Sequence, residues 1–383
     1  MLPVKNLCNG CGACAAVCPK NCIEMTADSE GFRYPVIERA QCVFCKACEL
    51  ACPIISPPHL SQETRAVAAQ NQNNVIRKES SSGGVFSALA EYVLSKGGLI
   101  CAAIYDEKQR VSHIIIDKPD GIRAMRSAKY AQSRSENCFS RIKKELQEDR
   151  YVLFVGTPCQ TAGLSQYLGR TYETLILVDM ICHGVPSPKV WEKYLRERQA
   201  SDAPKSKYQN INLRSKETGW SRYSYSVKIQ YRNGVEYQMP QGQDLFMRGF
   251  VQNLYLRPSC SQCCFKGIQR CSDLTLGDCW GIWDIAPEFD DNQGTSLLLI
   301  HSEKGQQVWN DISSKFRTYS LSIDQAVAQN PSATCCSMPH PKREQFFNAL
   351  HSDQSITEVI QNCLAPQAQK GFLQRLRETI GWR

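Results

Sequence analysis

Long apolar segments, a secretion signal and a disulfide framework are all missing from this sequence. No stretch approaches the ~18 consecutive apolar residues that a membrane-spanning helix needs, and the N-terminus lacks the charged and apolar regions of a signal peptide. Cysteine is abundant, but its spacing is that of metal ligands and not that of a small secreted domain. We therefore expect a soluble cytoplasmic protein, without a membrane span, in a reducing compartment.

Eight of the 21 cysteines form an N-terminal repeat. The run C-x-x-C-x-x-C-x-x-x-C-P occurs twice, and each cysteine of the second copy lies 34 positions after its counterpart. The first copy comprises Cys8, Cys11, Cys14 and Cys18, and the second comprises Cys42, Cys45, Cys48 and Cys52. This run is the pattern of bacterial ferredoxins that carry two iron–sulfur clusters, so the sequence predicts a protein that transfers electrons.

The pattern also predicts which cysteines share a cluster. Three closely spaced thiolates wrap one face of a cubane, and the fourth reaches the cluster of the other repeat. One [4Fe–4S] cluster is therefore assigned to Cys8, Cys11, Cys14 and Cys52, and the other to Cys42, Cys45, Cys48 and Cys18. Structural zinc sites are the alternative, but they use two C-x-x-C pairs that close a tetrahedron.

Two short strands are predicted between the copies of the repeat, at 22–25 and 32–37, joined through the turn at 28–31. Cys22 lies outside both cysteine motifs. It is expected to be a buried neutral thiol, which is the usual state of a free cysteine.

The next part of the chain alternates between predicted strands and a helix. Strands are predicted at 67–69, 99–105 and 111–116, and apolar residues at helical spacing follow the small-residue loop 80–84. Small residues that lead into a helix N-terminus can bind an anion through free backbone N–H groups. Such a loop is also common as ordinary helix capping.

Two cysteines follow apolar strands predicted to be parallel neighbours. The strands at 151–155 and 175–181 are joined by a short helix at about 161–168, a crossover of the length that connects parallel strands. Cys159 and Cys182 would then meet at the carboxyl edge of the sheet, where ligands bind in open α/β folds. With the pair Cys260 and Cys263 they would suit a third [4Fe–4S] cluster.

Other readings of these cysteines stay open. The four side chains could instead be buried structural thiols, and Cys264 and Cys271 are rivals as ligands because they lie close in sequence to the Cys260/Cys263 pair. Cys335, Cys336 and Cys363 have no ligand spacing to any other residue, so no role is predicted for them.

Taken together, several motifs resemble a known family. They are, in order, Ser82-Gly83-Gly84-Val85-Phe86, Ser127-Ala128-Lys129-Tyr130, Gly156-Thr157-Pro158-Cys159-Gln160, Cys182-His183-Gly184, the Cys260/Cys263 pair and Asp273-Leu274-Thr275-Leu276-Gly277-Asp278. The sequence resembles the family of beta subunits of coenzyme F420 hydrogenase/dehydrogenase, in the form with an N-terminal two-cluster ferredoxin domain. The resemblance extends to about residue 320.

This resemblance implies cofactors and their contacts. In the family a [4Fe–4S] cluster lies beside FAD and is held by the residues that correspond to Cys159, Cys182, Cys260 and Cys263. The implied FAD contacts are Ser82, Gly83, Gly84, Lys129, Tyr130, Thr275, Gly277 and Asp278. Lys129 could alternatively be an ordinary surface lysine. The implied total is three [4Fe–4S] clusters and one FAD.

The expected architecture is α/β (α+β), a ferredoxin-like module followed by a larger α/β flavin-binding domain with a mostly parallel sheet. The predicted segments are 1–57 for the ferredoxin-like module, 58–65 for a linker, 66–145 for the N-terminal part of the flavin-binding region, 146–325 for the part with the third cluster, and 326–383 for a helical tail. A basic amphipathic helix is predicted within that tail at 370–383.

The implied function is electron transfer between the clusters and FAD, with hydride exchange to an organic partner that could be coenzyme F420. If that reaction needs a proton donor, His183 and Asp278 are the candidates. The expected redox partner is a ferredoxin or another oxidoreductase subunit. Two alternatives are a non-catalytic electron-transfer subunit and a zinc-organised scaffold.

The net charge gives little reason to expect nucleic acid as a partner. The formal charge is +8, from 45 lysines and arginines against 37 acidic residues. Twelve ligating thiolates and three oxidised cluster cores would add about −6, which leaves about +2. A local basic face for an acidic redox partner is still possible.

Overall fold

The computed structural model describes residues 2–221, 224–352 and 354–365. Its strands are β1 Ile23–Ala27, β2 Arg33–Ile37, β3 Arg65–Asn71, β4 Leu99–Tyr105, β5 Val111–Ile116, β6 Val152–Val155, β7 Leu175–Met180, β8 Tyr208–Ser215, β9 Ser226–Tyr231, β10 Glu236–Pro240, β11 Leu274–Asp278, β12 Ser296–Ile300 and β13 Phe316–Leu321. The predicted basic helix at 370–383 lies outside the described residues.

The helices are α1 Ala13–Ala16, α2 Ala47–Leu50, α3 Asn74–Glu79, α4 Val85–Ser95, α5 Ile122–Met125, α6 Phe139–Gln147, α7 Pro158–Leu168, α8 Pro188–Asp202, α9 Leu245–Val251, α10 Ile282–Ile285, α11 Glu303–Ile312, α12 Ile323–Ala328, α13 Arg343–Ala349 and α14 Ile356–Leu364. Short 3-10 turns cover Pro119–Gly121, Glu136–Cys138, Pro258–Gln262, Pro287–Phe289, Ser313–Lys315 and Pro331–Ala333. No helix in the described part of the chain is long and apolar enough to cross a membrane.

An eight-stranded mixed sheet forms the main domain, in the order β13-β3-β12-β11-β7-β6-β4-β5. The four strands β4, β6, β7 and β11 are parallel, and antiparallel strands flank them on both sides. The predicted α/β class is confirmed, but the sheet is mixed and not mostly parallel, since four of its seven strand pairings are antiparallel. The parallel part is confined to the centre, because β5 follows β4 through a short turn and so returns antiparallel to it.

Helices cover both faces of this sheet, because successive side chains of a strand point to opposite faces. Ile100 and Leu153 pack with α4 in one core. Leu99 and Phe154 pack with α6 and α7 in another. The strand residues are therefore apolar on both faces, as expected for a central parallel sheet.

A smaller antiparallel sheet, in the order β10-β9-β8, is inserted between α8 and α9. Its inward-facing side chains share an aromatic-rich core with α8, α9, α13 and α14. Trp191, Tyr194, Phe246 and Tyr255 are fully buried at its centre. No sequence motif described above predicts this inserted sheet.

The N-terminal module contains the hairpin β1–β2, which the sequence predicts and which is paired antiparallel from Ile23 to Ala27. Its turn is held by Asp28, whose Oδ1 accepts from the backbone N–H groups of Glu30 and Phe32 at 3.0 Å each. Each cysteine triplet ends in a single helical turn, α1 or α2.

Helix α7 begins at Pro158, three residues before the predicted start. Thr157 and Gln160 form a capping box, in which each side chain bonds to the backbone of the other residue. As a result, Cys159 lies in the first turn of the helix and not in the preceding loop.

One buried arginine joins the N-terminal module to the main domain. Arg257 is 1% exposed, and its guanidinium donates to the carbonyls of Cys8 at 2.9 Å and Arg33 at 3.0 Å. The same guanidinium donates to the side-chain carbonyl of Gln132 at 3.2 Å. It also lies 4.1 Å from the centre of the Tyr34 ring, so the charge is matched by acceptors on both sides and by an aromatic face.

We expect Arg257→Met to lower the free energy of unfolding by about 2–4 kcal/mol, because three buried acceptors would lose their charged donor. The N-terminal module should also be released more readily by limited proteolysis. Urea unfolding of both forms measures the effect. The matched control is Arg232→Met, at an exposed arginine of the inserted sheet, and equal stability of the two variants would contradict the prediction.

Candidate cluster sites and ligand cavity

Cysteines of the two repeats lie close together in the structure. Burial, together with repulsion from Cys8 and from Cys52 of the other repeat, raises the pKa of the Cys14 thiol to about 12. Cys18 of the first repeat has Cys22 as a close neighbour, with 3.3 Å between their Sγ atoms. Cys22 in turn lies beside Cys42 of the second repeat. Cysteines of the two copies are therefore neighbours, and the assignment of four cysteines to each cluster stays a prediction.

The two cluster loops have the same backbone but different surroundings. Gly10 and Gly12 have φ values of 67° and 80°, and their repeat counterparts Phe44 and Lys46 have 55° and 62°. A Cβ at Gly10 would lie 2.5 Å from the side-chain nitrogen of Gln132, so only glycine fits there. Phe44 is 69% exposed, which leaves room for a side chain. The first loop is packed against the main domain and the second faces solvent.

A third group of cysteines lies at the carboxyl edge of the central strands. Cys159 is in the first turn of α7, Cys182 follows β7, and Cys260 and Cys263 lie at the 3-10 turn Pro258–Gln262. Burial raises the pKa of Cys159, Cys182 and Cys260 to about 12 each, and repulsion from the other members of the group contributes. Four partly buried thiols with this mutual repulsion suit a positively charged metal core.

The two rival ligands have different neighbours. Cys271 lies against the carboxylate of Asp179 and the hydroxyl of Thr161. Cys264 is exposed and lies between Cys263 and Cys52 of the N-terminal module. Cys336, for which no role is predicted from the sequence, donates its thiol hydrogen to the Cys263 carbonyl at 3.6 Å. Cys336 follows the 3-10 turn Pro331–Ala333, and no motif in the sequence predicts that it lies close to Cys263.

The first and third cysteine groups adjoin each other. Cys11 packs on helix α7 at Gly163, where a Cβ would lie 2.9 Å from the Cys11 sulfur. Burial raises the pKa of Cys11 well above its ordinary value, and Cys159 is among the thiols that raise it further. Glycine at 163 therefore allows the N-terminal module to approach the turn that holds Cys159.

Within the described residues, no three cysteine, histidine or carboxylate side chains converge as ligands of a single metal ion would. The ligands of a cubane bind four different iron atoms and so surround a larger body than one ion. The donor set of each group, four thiols and no carboxylate, fits an iron–sulfur cluster.

Beside the third cysteine group lies a cavity of about 740 Å³. Its lining includes nine of the residues predicted for ligands, cofactor contacts or proton transfer, namely Ser82, Gly84, Lys129, Tyr130, Cys159, Cys182, His183, Gly277 and Asp278. The volume is within the range of small-molecule and cofactor sites.

Gly83 and Thr275 pack against other parts of the protein and do not line the cavity. The N–H of Gly83 donates to the Ser296 hydroxyl at 2.8 Å, and a Cβ there would lie 2.1 Å from the Ala69 carbonyl oxygen. The Thr275 hydroxyl is fully buried and bonds to Asp179 at 2.5 Å and to His301 at 2.8 Å. Both positions support the cavity wall from behind.

Lys129 is a partly buried amine in the cavity wall. Its ammonium donates to the carbonyls of Arg126 at 2.6 Å and Ser127 at 3.1 Å. Burial lowers its pKa to about 7. Because an anion in the cavity would stabilise the charged form, the residue can bind phosphate or another anionic group.

Asp278 is paired with Arg214, a residue that sequence reasoning did not select. The Nη2 atom of Arg214 lies 2.8 Å from Oδ2 of Asp278, and both side chains are largely buried. The guanidinium stacks at 4.6 Å on Trp220 and lies 3.4 Å from the Tyr130 hydroxyl. Arg214 comes from β8 of the inserted sheet, far from every motif, so the sequence contains no local signal for it.

His183 is held by two polar neighbours. Its Nε2 donates to the side-chain oxygen of Asn253 at 2.7 Å, so that Nδ1 accepts from the Ser332 hydroxyl at 3.3 Å in the neutral ring. The ring packs edge-on against Phe250. The structure thus places His183 at the cavity with a fixed orientation.

The fold and its cysteine groups define an iron–sulfur protein with an α/β ligand-binding domain, and comparison with known proteins identifies its family. Residues 7–54 match the 4Fe-4S dicluster domain. Residues 66–138 and 149–324, together well over half of the chain, match the N-terminal and C-terminal regions of the coenzyme F420 hydrogenase/dehydrogenase beta subunit. The chain belongs to this family of beta subunits, and the predicted resemblance is confirmed. Membership supports a role as an electron-transferring oxidoreductase.

Two individual relatives are distant. The chain is 23% identical over 186 residues to one of the subunits of F(420)H(2) dehydrogenase from Methanosarcina mazei, covering 45% of this chain and 52% of that protein. It therefore spans about half the length of the curated relative it matches. A chain of the F420-reducing [NiFe] hydrogenase complex of Methanosarcina barkeri aligns with a TM-score of 0.45 and 16% identity, covering 71% of this chain and 89% of that one.

We expect Cys159→Ala to bind about four iron atoms fewer than the wild-type protein, because it removes a ligand of the third group alone. Cys271→Ala should keep the full iron content, since Cys271 lies against Asp179 and not with that group. Iron analysis after anaerobic reconstitution measures both. Equal iron loss in the two variants would make Cys271 a ligand and contradict the assignment.

Proposed function

We propose that this protein is an iron–sulfur flavoprotein oxidoreductase with three [4Fe–4S] clusters and FAD, which exchanges hydride with coenzyme F420 or another organic substrate in the cytoplasm. The observation that carries the proposal is the position of Cys159. Cys159 lines the ligand cavity, and its thiol neighbours Cys11 of the N-terminal module. One cysteine group thus connects the ferredoxin-like module to the cavity.

The cavity has groups that fit FAD. The small residues Ser82 and Gly84 lead into helix α4, whose free N–H groups and dipole favour a phosphate. Lys129 adds a partly buried amine whose charged form an anion would stabilise, and the aromatic rings of Tyr130 and Trp280 add flat apolar surface. A bound flavin would supply the conversion between two-electron hydride chemistry and the one-electron chemistry of the clusters.

The polar residues of the cavity would orient the ligand and handle protons. Arg214 would bind an oxygen-rich edge of the ligand, since its guanidinium is fixed by Asp278 and Trp220. His183 is a candidate proton donor that would have to release Asn253 or Ser332, because both of its ring nitrogens are hydrogen-bonded to these residues. Asp278 is less suited to donate a proton, since its partner Arg214 pairs with the carboxylate form.

The second candidate function is a non-catalytic subunit that passes electrons to a partner enzyme. The name of the Methanosarcina mazei relative, which describes one subunit of a dehydrogenase, favours this reading. The exposed Cys45 and its neighbour Phe44 also favour a protein partner, either a ferredoxin or another oxidoreductase subunit, at the second cluster site. Turnover by the isolated chain would support the first function over the second.

Anaerobic titration of the FAD-loaded protein with reduced coenzyme F420 tests the proposal. Bleaching of both flavin and cluster absorbance is expected if this coenzyme is the hydride donor. If dithionite reduces both chromophores but reduced F420 reduces neither, the hydride partner is a different organic compound. Failure of the protein to bind FAD at all would contradict the flavoprotein proposal itself.

The lowered pKa of Lys129 predicts a pH dependence of FAD affinity. Its pKa of about 7 means that the cation is present below pH 7 and is lost as the pH rises, so FAD should bind more weakly at pH 8.5 than at pH 6. Lys129→Met should bind FAD about tenfold more weakly at pH 6. It should also lose most of the pH dependence.

Flavin fluorescence titrations at the two pH values measure this effect. Lys118→Met, at an exposed lysine, is the control and should behave like the wild-type protein. An unchanged pH dependence in Lys129→Met would show that another group titrates.

A further inference from the structure

A fifth thiol lies in the second cluster site. The Cys22 side chain is 5% exposed, and its sulfur is 3.3 Å from that of Cys18. Cys42, a ligand predicted for the same cluster, is its other thiol neighbour. Two sides of Cys22 thus face ligands of one cluster, although the residue belongs to neither C-x-x-C-x-x-C run.

The backbone holds Cys22 in this place. Its carbonyl accepts from the Glu38 N–H at 2.8 Å, and the next residue begins strand β1, where Ile23 pairs with Ile37. The thiol is therefore fixed by the hairpin and does not depend on the cluster loop for its position.

The internal repeat provides a comparison for this thiol. Thirty-four positions after Cys22 stands Ser56, which has the same relation to Cys52 that Cys22 has to Cys18. The Ser56 hydroxyl donates to the Glu49 carbonyl at 3.4 Å, and its N–H donates to the Cys52 carbonyl at 2.8 Å. The first cluster site therefore has no spare thiol at the equivalent position.

The second cluster site is also the more exposed of the two. Cys45 and its neighbours Val43 and Phe44 are exposed, whereas Cys8 and Cys14 of the first site are buried. Solvent and oxidants have easier access to the sulfurs of an exposed site. A spare ligand is therefore present at the site where a cluster is more readily damaged.

We propose that Cys22 is a reserve ligand of the second [4Fe–4S] cluster and a hydrogen-bond donor to the sulfur of Cys18. With Cys18 in place, the Cys22 thiol keeps its hydrogen and donates it to the Cys18 sulfur. When the bond between iron and the Cys18 sulfur is broken or absent, a bond forms between that iron and the Cys22 sulfur, and the Cys22 thiol proton leaves to solvent. No electron is gained or lost in this exchange. The proposal rests on the dicluster assignment of the N-terminal module.

The test compares iron content and the electron paramagnetic resonance of the reduced protein across four forms. Cys18→Ala should retain the iron of the wild-type protein, and Cys18→Ala/Cys22→Ala should lose about four iron atoms. The comparison for the first cluster site is Cys52→Ala/Cys264→Ala, in which Cys264 is removed because it also neighbours Cys52. The position equivalent to Cys22 is Ser56 there, so this variant should lose about four iron atoms.

Three results would overturn the reserve-ligand proposal. They are iron loss in Cys18→Ala equal to that of the double variant, a three-iron cluster in Cys18→Ala, or full iron retention in the double variant. A wild-type protein without two clusters in this module would instead refute the dicluster assignment. These outcomes are therefore distinguishable.

The single variant Cys22→Ala tests the hydrogen bond with all four ordinary ligands present. It should keep full iron content and shift the potential of one cluster to a more negative value, because a hydrogen bond to a ligand sulfur stabilises the reduced state. Ser56→Ala is the matched control and should leave both potentials unchanged. Identical potentials in Cys22→Ala and the wild-type protein would contradict the donor role.

Discussion

The buried guanidinium of Arg257 is the interaction on which the arrangement of the two modules depends. It stands in the chain three residues before Cys260, and it donates to backbone carbonyls of the N-terminal module. A buried charge is tolerated only where acceptors surround it. Here those acceptors come from Cys8, Arg33 and Gln132. The residue therefore fixes the first cluster loop against the segment that contributes cysteines to the third group.

The asymmetry of the repeat follows from this docking. One cluster loop is pressed against the main domain, so its left-handed positions must be glycine. The other loop faces solvent and accommodates Phe44 and Lys46 at the same backbone angles at a modest cost in strain. In an electron-transfer protein the buried site suits passage of electrons to the interior, and the exposed site suits exchange with a partner. Two nearly identical motifs thus have different surroundings and different expected roles.

Much of the fold could be predicted from local patterns. Strands β4 and β5 have the expected bounds, and the parallel pairing of β6 with β7 brings Cys159 and Cys182 to one edge. These features are predictable because apolar runs and the length of a crossover are properties of neighbouring residues in the sequence. The rest depends on distant contacts. Arg214 reaches the cavity only because an inserted sheet folds over it, and Thr275 belongs to a buried network with His301. No local sequence pattern predicts either contact. The family motifs also did not distinguish the residues that line the cavity from those that pack behind its wall.

The central claim is that the Cys159 group connects the ferredoxin-like module to the cavity. Stopped-flow mixing of FAD-loaded protein with a reduced low-potential ferredoxin tests it most directly, with cluster and flavin absorbance followed separately in the wild-type protein and in Cys159→Ala. Flavin reduction should follow cluster reduction in the wild-type protein, and it should be at least about tenfold slower in a variant that still holds FAD and the N-terminal clusters. Flavin reduction at the wild-type rate in Cys159→Ala would show that electrons reach the cavity by another route.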